Sequence, residues 1–167
     1  MGYYKYLKSN FKTEASGKEQ KKRIMEWRRQ PALLRIENPT NPARARSLGY
    51  KSKPGFVVVR ARIKKGGRRR PRNRAGRKPR NSGKYGFYPS SSRQAILERR
   101  VNRHYPNLEV LNSYQVGDDG KNKWFEIILV DTSHPAIKKD KDVRILDQRR
   151  RAFRGLTSAG KKSRGLQ

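Results

Sequence analysis

The sequence predicts an α+β fold: a small, mainly antiparallel sheet with packed helices, carrying long basic irregular extensions. Three observations predict it. The runs "LEVLNSYQV" and "NKWFEIILVD" flank the turn-rich "GDDGK", the pattern of a β-hairpin. A third run, "FVVVRARI" from Phe56 to Ile63, sets Val57, Val59, Ala61 and Ile63 on one face and Arg60 and Arg62 on the other, the two-residue alternation of a strand. Hydrophobic residues make up only 32% of the 167, against about 45–50% in an ordinary globular domain. A core can therefore form, but it cannot enclose the whole chain.

In chain order, the first segment reads as helical. Tyr4, Leu7 and Phe11 have helical spacing, and core packing is favoured over base stacking for that stripe. Ser16-x-x-Glu19 offers a capping box leading into "QKKRIMEWRRQ", where Ile24 and Trp27 lie three apart on one face and Pro31 stops the helix. Residues 38–55 contain Pro39, Pro42 and Pro54 and are expected to be extended and basic. Residues 64–90 carry Gly66, Gly67, Pro71, Gly76, Pro79, Gly83 and Gly86, with almost nothing apolar before Tyr85. Such a composition forms no core of its own, so this loop is expected to fold against a partner. "SSSRQAILERRVNRHYP" opens on a second capping box, Ser91-x-x-Gln94. It sets Ala95, Ile96, Leu97 and Val101 on a partly apolar face and stops at Pro106. His134, in "DTSHPAIKKD", reads as a turn entering a short helix, and residues 149–167 as a basic tail.

Charge divides these segments sharply. The 44 Lys/Arg and 13 Asp/Glu give a formal net charge of +31. Residues 38–97 hold eighteen cations and no acid, and residues 149–167 hold seven and none. Residues 98–148 hold nine of each, so that block reads as folded body and the others as contact surface. Charge of this size says little about fold and much about partners, of which nucleic acid is the commonest. From Arg60 to Arg80, nine arginines and three lysines repel one another in twenty-one residues. Phosphates that replace those repulsions release condensed counterions, which makes binding steeply salt-dependent. Guanidinium forks grip phosphate bidentately and stack on bases, which suits irregular RNA. The absence of zinc fingers, basic zippers and RNP-type strands leaves DNA open as well.

Other classes fare worse. There is no cysteine, so disulfides, thiolate-bound zinc and thiol nucleophiles are excluded. "MGYYKYLKSNFK" is no secretory signal, and no stretch approaches the ~20 apolar residues of a membrane span, so a soluble intracellular protein is expected. "GLTSAGKK" matches Gly-x-x-x-x-Gly-Lys, but Lys162 stands where Ser or Thr should hold magnesium and "RRRAFR" precedes it in place of an apolar strand. His104 and His134 lack metal-ligand spacing, while Asp118–Asp119 and Asp140 with Asp142 read as a hairpin turn and a helix end. Binding is expected, not catalysis. Two alternatives stay open: a chromatin-type DNA-compacting protein, and an RNA-processing enzyme dependent on Asp118, Asp119, Asp131 or His134.

"MGYYKYL", "RARSLGYKSKPGFVVVRARIKKGGRRRP", "VLNSYQVGDDGKNKWFEIILVD" and "RGLTSAGKKSRGL" together resemble ribosomal protein fifteen of the large subunit, eukaryotic and archaeal (e) type, in the same order over nearly the whole chain. Length and the lack of cysteine look archaeal. The family usually continues past "SRGL" with a further basic tail, which this sequence does not carry. The resemblance implies one ribosomal-protein domain over residues 1–167 with extensions running through RNA, no enzymatic activity and no cofactor. The implied partners are large-subunit ribosomal RNA and neighbouring large-subunit proteins, in the cytoplasmic large ribosomal subunit, with no membrane and no small-molecule substrate. Carried to matching positions, it assigns RNA contact to Arg44, Arg46, Lys51 and Lys53, then to Arg60, Arg62, Lys64, Lys65, Arg68, Arg69, Arg70 and Arg72, and in the tail to Lys161, Lys162 and Arg164. Arg74, Arg77, Lys78 and Arg80, and Arg149, Arg150, Arg151 and Arg154, are candidates on charge alone.

Overall fold

Strand β4 (Asn122–Asp131) lies inside the sheet, and seven consecutive residues, Trp124 to Val130, are buried in it. A strand with both faces covered needs no alternation of apolar and polar residues, which accounts for the unbroken "IILV" from Ile127 to Val130. The computed structural model describes residues 3–67, 90–140, 142–143 and 148–166, with the backbone alone at residues 12–16. Helices α1 (Tyr3–Ser16) and α2 (Lys18–Arg29) lead to β1 (Leu33–Ile36), α3 (Pro42–Ser47) and β2 (Phe56–Lys64). Helix α4 (Arg93–His104), β3 (Leu108–Asp118), β4, and the short helices α5 (Pro135–Lys138), α6 (Arg151–Arg154) and α7 (Ser158–Ser163) follow. The sheet runs β1-β2-β4-β3 and every pairing is antiparallel, so the fold is α+β.

Each face of the sheet has its own core. On one, Val59, Ala61, Val110, Phe125, Ile127 and Leu129 pack against Leu97 and Val101 of α4 and Ala152 of α6. On the other, Tyr114, Val116, Trp124 and Ile128 pack against Trp27 of α2 and Ala45 of α3. Full burial of an Ile or Leu contributes about 1.5–3 kcal/mol, so Ile127, Ile128 and Leu129, all completely buried, form the energetic centre. Strand β3 bulges twice, between Val110 and Asn112 and between Gln115 and Gly117. The second bulge brings Gly117 under α2, where a Cβ would meet Gln20 Nε2 at 2.7 Å and Trp27 at 3.1 Å. Gln20 closes that junction by donating to the Val116 carbonyl at 2.8 Å.

Several sequence expectations change. Residues 38–55 are not extended throughout. Asn41 accepts from Arg44 N at 2.9 Å, Pro42 sits in the first turn, and Ala43 and Ala45 are buried, so a short helix forms where prolines alone suggested none. The helix cap before α4 is Ser92, not Ser91; Gln94 reaches across to Ser113. The backbone of Ser16 ends α1, and the N-cap position of α2 falls on Gly17 in place of the expected Ser16. Strand β1 carried no sequence expectation: four residues at a sheet edge give too short a pattern to read. The hairpin, the Phe56–Ile63 strand, the α4 stop before Pro106 and the His134 turn all stand as read; the His134 ring accepts from Ala136 N at 3.2 Å at the start of α5.

Candidate nucleic-acid interface

Three acids of the folded body are turned inward. Glu98 and Glu126 are fully buried and Glu109 nearly so. Glu98 accepts hydrogen bonds from the Ser113 and Thr157 hydroxyls, and burial still pushes its carboxyl above the usual carboxylate range. Glu126 accepts from the backbone N–H and hydroxyl of Thr40 and from the Tyr114 hydroxyl. Burial raises the pKa of both Glu126 and Tyr114. Glu109 accepts from the Arg150 and Arg151 backbone N–H groups at 2.7 and 3.3 Å, capping α6 from a neighbouring strand. That bond holds Arg150 in the left-handed region at φ 55°, which a non-glycine residue adopts only where its surroundings enforce it. Residues 98–148 thus sum to zero in the sequence, while Glu98, Glu109 and Glu126 are withdrawn from the surface and Asp118 and Asp142 stay exposed.

Some predicted cations are spoken for within the fold. Lys51 binds Asp140 at 2.8 Å and Asp142 at 2.7 Å, and Lys53 binds Asp140 as well. Lys51 and then Lys53 hold the Asp140 carboxyl well below the usual range. Arg60 lies over the Trp27 ring, 4.6 Å from its centroid, and donates to Gln30 at 2.7 Å. Lys65 binds Asp118 at 2.6 Å and Arg28 binds Asp119 at 2.8 Å, tying the start of the basic loop and the end of α2 to the hairpin turn. Arg62 donates to the Arg28 carbonyl at 2.8 Å. Arg151 is buried and reaches the Leu156 carbonyl at 3.4 Å.

Other cations face outward. Arg44 and Arg46 stand on the exposed side of α3, and Lys64, Arg149, Arg150, Arg154, Lys161, Lys162 and Arg164 are exposed. A groove of about 490 Å³ at the exit of β2 is lined by Arg62, Lys64 and Arg100, with Ala32, Ile63 and Asn122. A second, of about 310 Å³, carries Arg149 and Arg150 beside Glu109, Asn107, Thr132 and Ser133. Three guanidinium or ammonium groups on one groove wall, next to where the densest cation run begins, make a surface that selects polyanions. Arg68, Arg69, Arg70, Arg72, Arg74, Arg77, Lys78 and Arg80 lie outside the described residues. Among the described residues no group of His, Asp or Glu could hold a metal ion, and no helix is long and apolar enough to cross a membrane.

Against known families, residues 2–167 match the model described as Ribosomal L15. The chain belongs to the ribosomal L15 family. Members of this family are structural, non-enzymatic constituents of the large ribosomal subunit and serve in translation.

In this L15-family chain the apparent phosphate loop "GLTSAGKK" has another purpose. Gly155 ends α6 at φ 66°, and a Cβ on Gly160 would come within 2.6 Å of the Gly155 Cα. The two glycines let α6 and α7 touch backbone to backbone. Thr157 caps α7 by accepting from Gly160 N at 3.1 Å while its hydroxyl donates to Glu98. Ser163 accepts from Ser92 N at 3.1 Å. The basic tail is therefore folded onto α4, contrary to its sequence reading as plain contact surface, and it presents Lys161 and Lys162 outward from a short rigid helix. Arg100 was missed because its block sums to zero; its place outside the Leu97–Val101 apolar face was the available signal. Tyr4 was read as core and is 40% exposed, whereas Leu7 and Phe11 are half-buried and Trp27 is buried.

Proposed function

We propose that this protein binds and stabilises folded large-subunit ribosomal RNA in the cytoplasmic large ribosomal subunit, alongside neighbouring large-subunit proteins. One observation carries the reading: an acid-free run of eighteen cations over residues 38–97, whose middle leaves the ordered sheet at Lys64. Phosphate-binding segments of this density bind by counterion release, and arginine adds bidentate and stacking contacts. Arg44 and Arg46 on α3, Lys64 at the strand exit, Arg68, Arg69, Arg70, Arg72, Arg74, Arg77, Lys78 and Arg80 in the loop, and Arg149, Arg150, Arg154, Lys161, Lys162 and Arg164 in the tail supply phosphate contacts. Arg62 and Arg100 join them from the groove. Lys51, Lys53, Arg60, Lys65 and Arg151 act chiefly inside the protein, orienting the segments that carry the others. Internal carboxylates already neutralise Lys51, Lys53 and Lys65, and Trp27 and Gln30 already engage Arg60.

Sedimentation of lysate on a sucrose gradient tests this, with the protein followed by mass spectrometry. Retention in the large-subunit peak after a high-salt wash is expected. Release into the soluble fractions would show a loosely held basic factor and reopen DNA compaction or RNA processing.

A further inference from the structure

Helix α1 presents an aromatic surface to solvent that the core does not use. Tyr3 is 70% and Tyr6 61% exposed, against 40% for Tyr4. The helix divides its large side chains by depth. Leu7 and Phe11 are half-buried, while the tyrosines cluster at its outer end. Tyr3 meets Tyr4 edge-on, with ring centroids 6.0 Å apart and planes at 65°. Arg46 of α3 lies over the Tyr4 ring at 5.4 Å, so one face of that ring is already covered by a cation. Exposed aromatic rings beside unneutralised cations are costly in a free protein. Apolar area stays wet, and among the described residues no carboxylate pairs with Arg44 or Arg46 on α3.

We propose that Tyr3 and Tyr6 form a stacking platform for unpaired bases of the bound RNA, with Arg46 holding the Tyr4 ring as its back wall and Arg44 and Lys8 meeting adjacent phosphates. This rests on the RNA-binding reading above and adds a second kind of contact to it. Every base presents a π-face, so stacking on phenol rings tolerates any sequence, and each stacked base is worth a severalfold to hundredfold gain in affinity. The charge around the rings selects the occupant. A protein partner docking here would need acidic groups to meet Arg44 and Arg46, while a single-stranded RNA segment brings its own phosphates at nucleotide spacing.

The test uses the full chain and transcribed large-subunit ribosomal RNA, with filter binding across a salt series. The double variant Tyr3→Ala/Tyr6→Ala is expected to bind about tenfold or more weakly, with the slope of log affinity against log salt unchanged, because no phosphate contact is lost. Tyr3→Phe/Tyr6→Phe keeps the rings and should bind like wild type. Ultraviolet crosslinking of the unmodified protein, with peptide mapping, should place crosslinks on Tyr3 or Tyr6. An alanine variant that binds as wild type, or crosslinks that avoid α1, overturns the platform while leaving RNA binding intact. So does an alanine variant with normal RNA affinity that loses a neighbouring protein from reconstituted particles. If wild type itself shows no salt-dependent affinity for the RNA, the broader reading falls first.

Discussion

Asp140 shows how one residue redirects two cations. Its carboxylate gathers Lys51 and Lys53, and Lys51 also binds Asp142, pinning the segment after α3 against the turn after α5. These lysines hold its pKa below the ordinary carboxylate value. A carboxyl whose folded pKa is depressed stabilises the fold fully above its unfolded pKa and loses that contribution as pH falls through the folded one. The urea midpoint of Asp140→Asn should therefore sit below wild type by a constant amount from about pH 5 to pH 9, and the gap should close below about pH 4, where the unfolded carboxyl protonates. A gap that persists unchanged to pH 2 would show that packing, not charge, was lost. Glu98 behaves oppositely. Its raised pKa means that acid does not weaken its site, and stability is lost instead as pH rises through the folded value.

Among the elements, the α6–α7 pair shows what a sequence motif can conceal. "GLTSAGKK" has the spacing of a phosphate cradle, but each special residue serves the fold: Gly155 for its positive φ, Gly160 for close approach, Thr157 as cap and donor to Glu98. Gly160→Ala puts a methyl group 2.6 Å from a backbone atom that cannot swing away. The variant should lose about 1–3 kcal/mol in chemical denaturation and bind RNA less tightly through the displaced Lys161 and Lys162. Thr157→Ser keeps the hydroxyl and should stay close to wild type. A stable Gly160→Ala protein would show that α7 docks loosely. The strands were legible because their periodicity is strong: Phe56–Ile63 and the hairpin lie where the pattern set them. Helix α3 and the true cap at Ser92 were not, because both depend on which backbone N–H meets which side chain, and several serines or asparagines satisfy the same pattern.

For the whole molecule, charge is sorted by depth. Glu98, Glu109 and Glu126 are buried, and Asp119 and Asp140 retain 8% and 7% of their side-chain exposure while paired to Arg28, Lys51 and Lys53. These five acids are closed to a partner, while Asp118 and Asp142 stay exposed in ion pairs with Lys65 and Lys51. Affinity for RNA should then follow the exposed cations. Arg68→Gln, Arg69→Gln and Arg70→Gln together should lower the slope of log affinity against log salt by about 2–3. The thermal unfolding midpoint should stay at the wild-type value, since the sheet is held by apolar clusters around Val59, Ile127 and Ile128. An unchanged slope would remove the loop from the interface.

The α+β class, the hairpin and the acid-free cation run follow from the sequence alone, because periodicity and composition are local properties that survive without knowledge of contacts. Tertiary structure decided which cations are left for a partner. Lys51 and Arg60 look no different in the sequence from Arg44 and Lys64, and only long-range contacts with Asp140, Gln30 and Trp27 separate them. It also decided the fate of the aromatic residues. Trp27 is buried beneath Arg60 and against Trp124, while Tyr3 and Tyr6 remain in solvent, since burial depends on which surfaces the fold brings together.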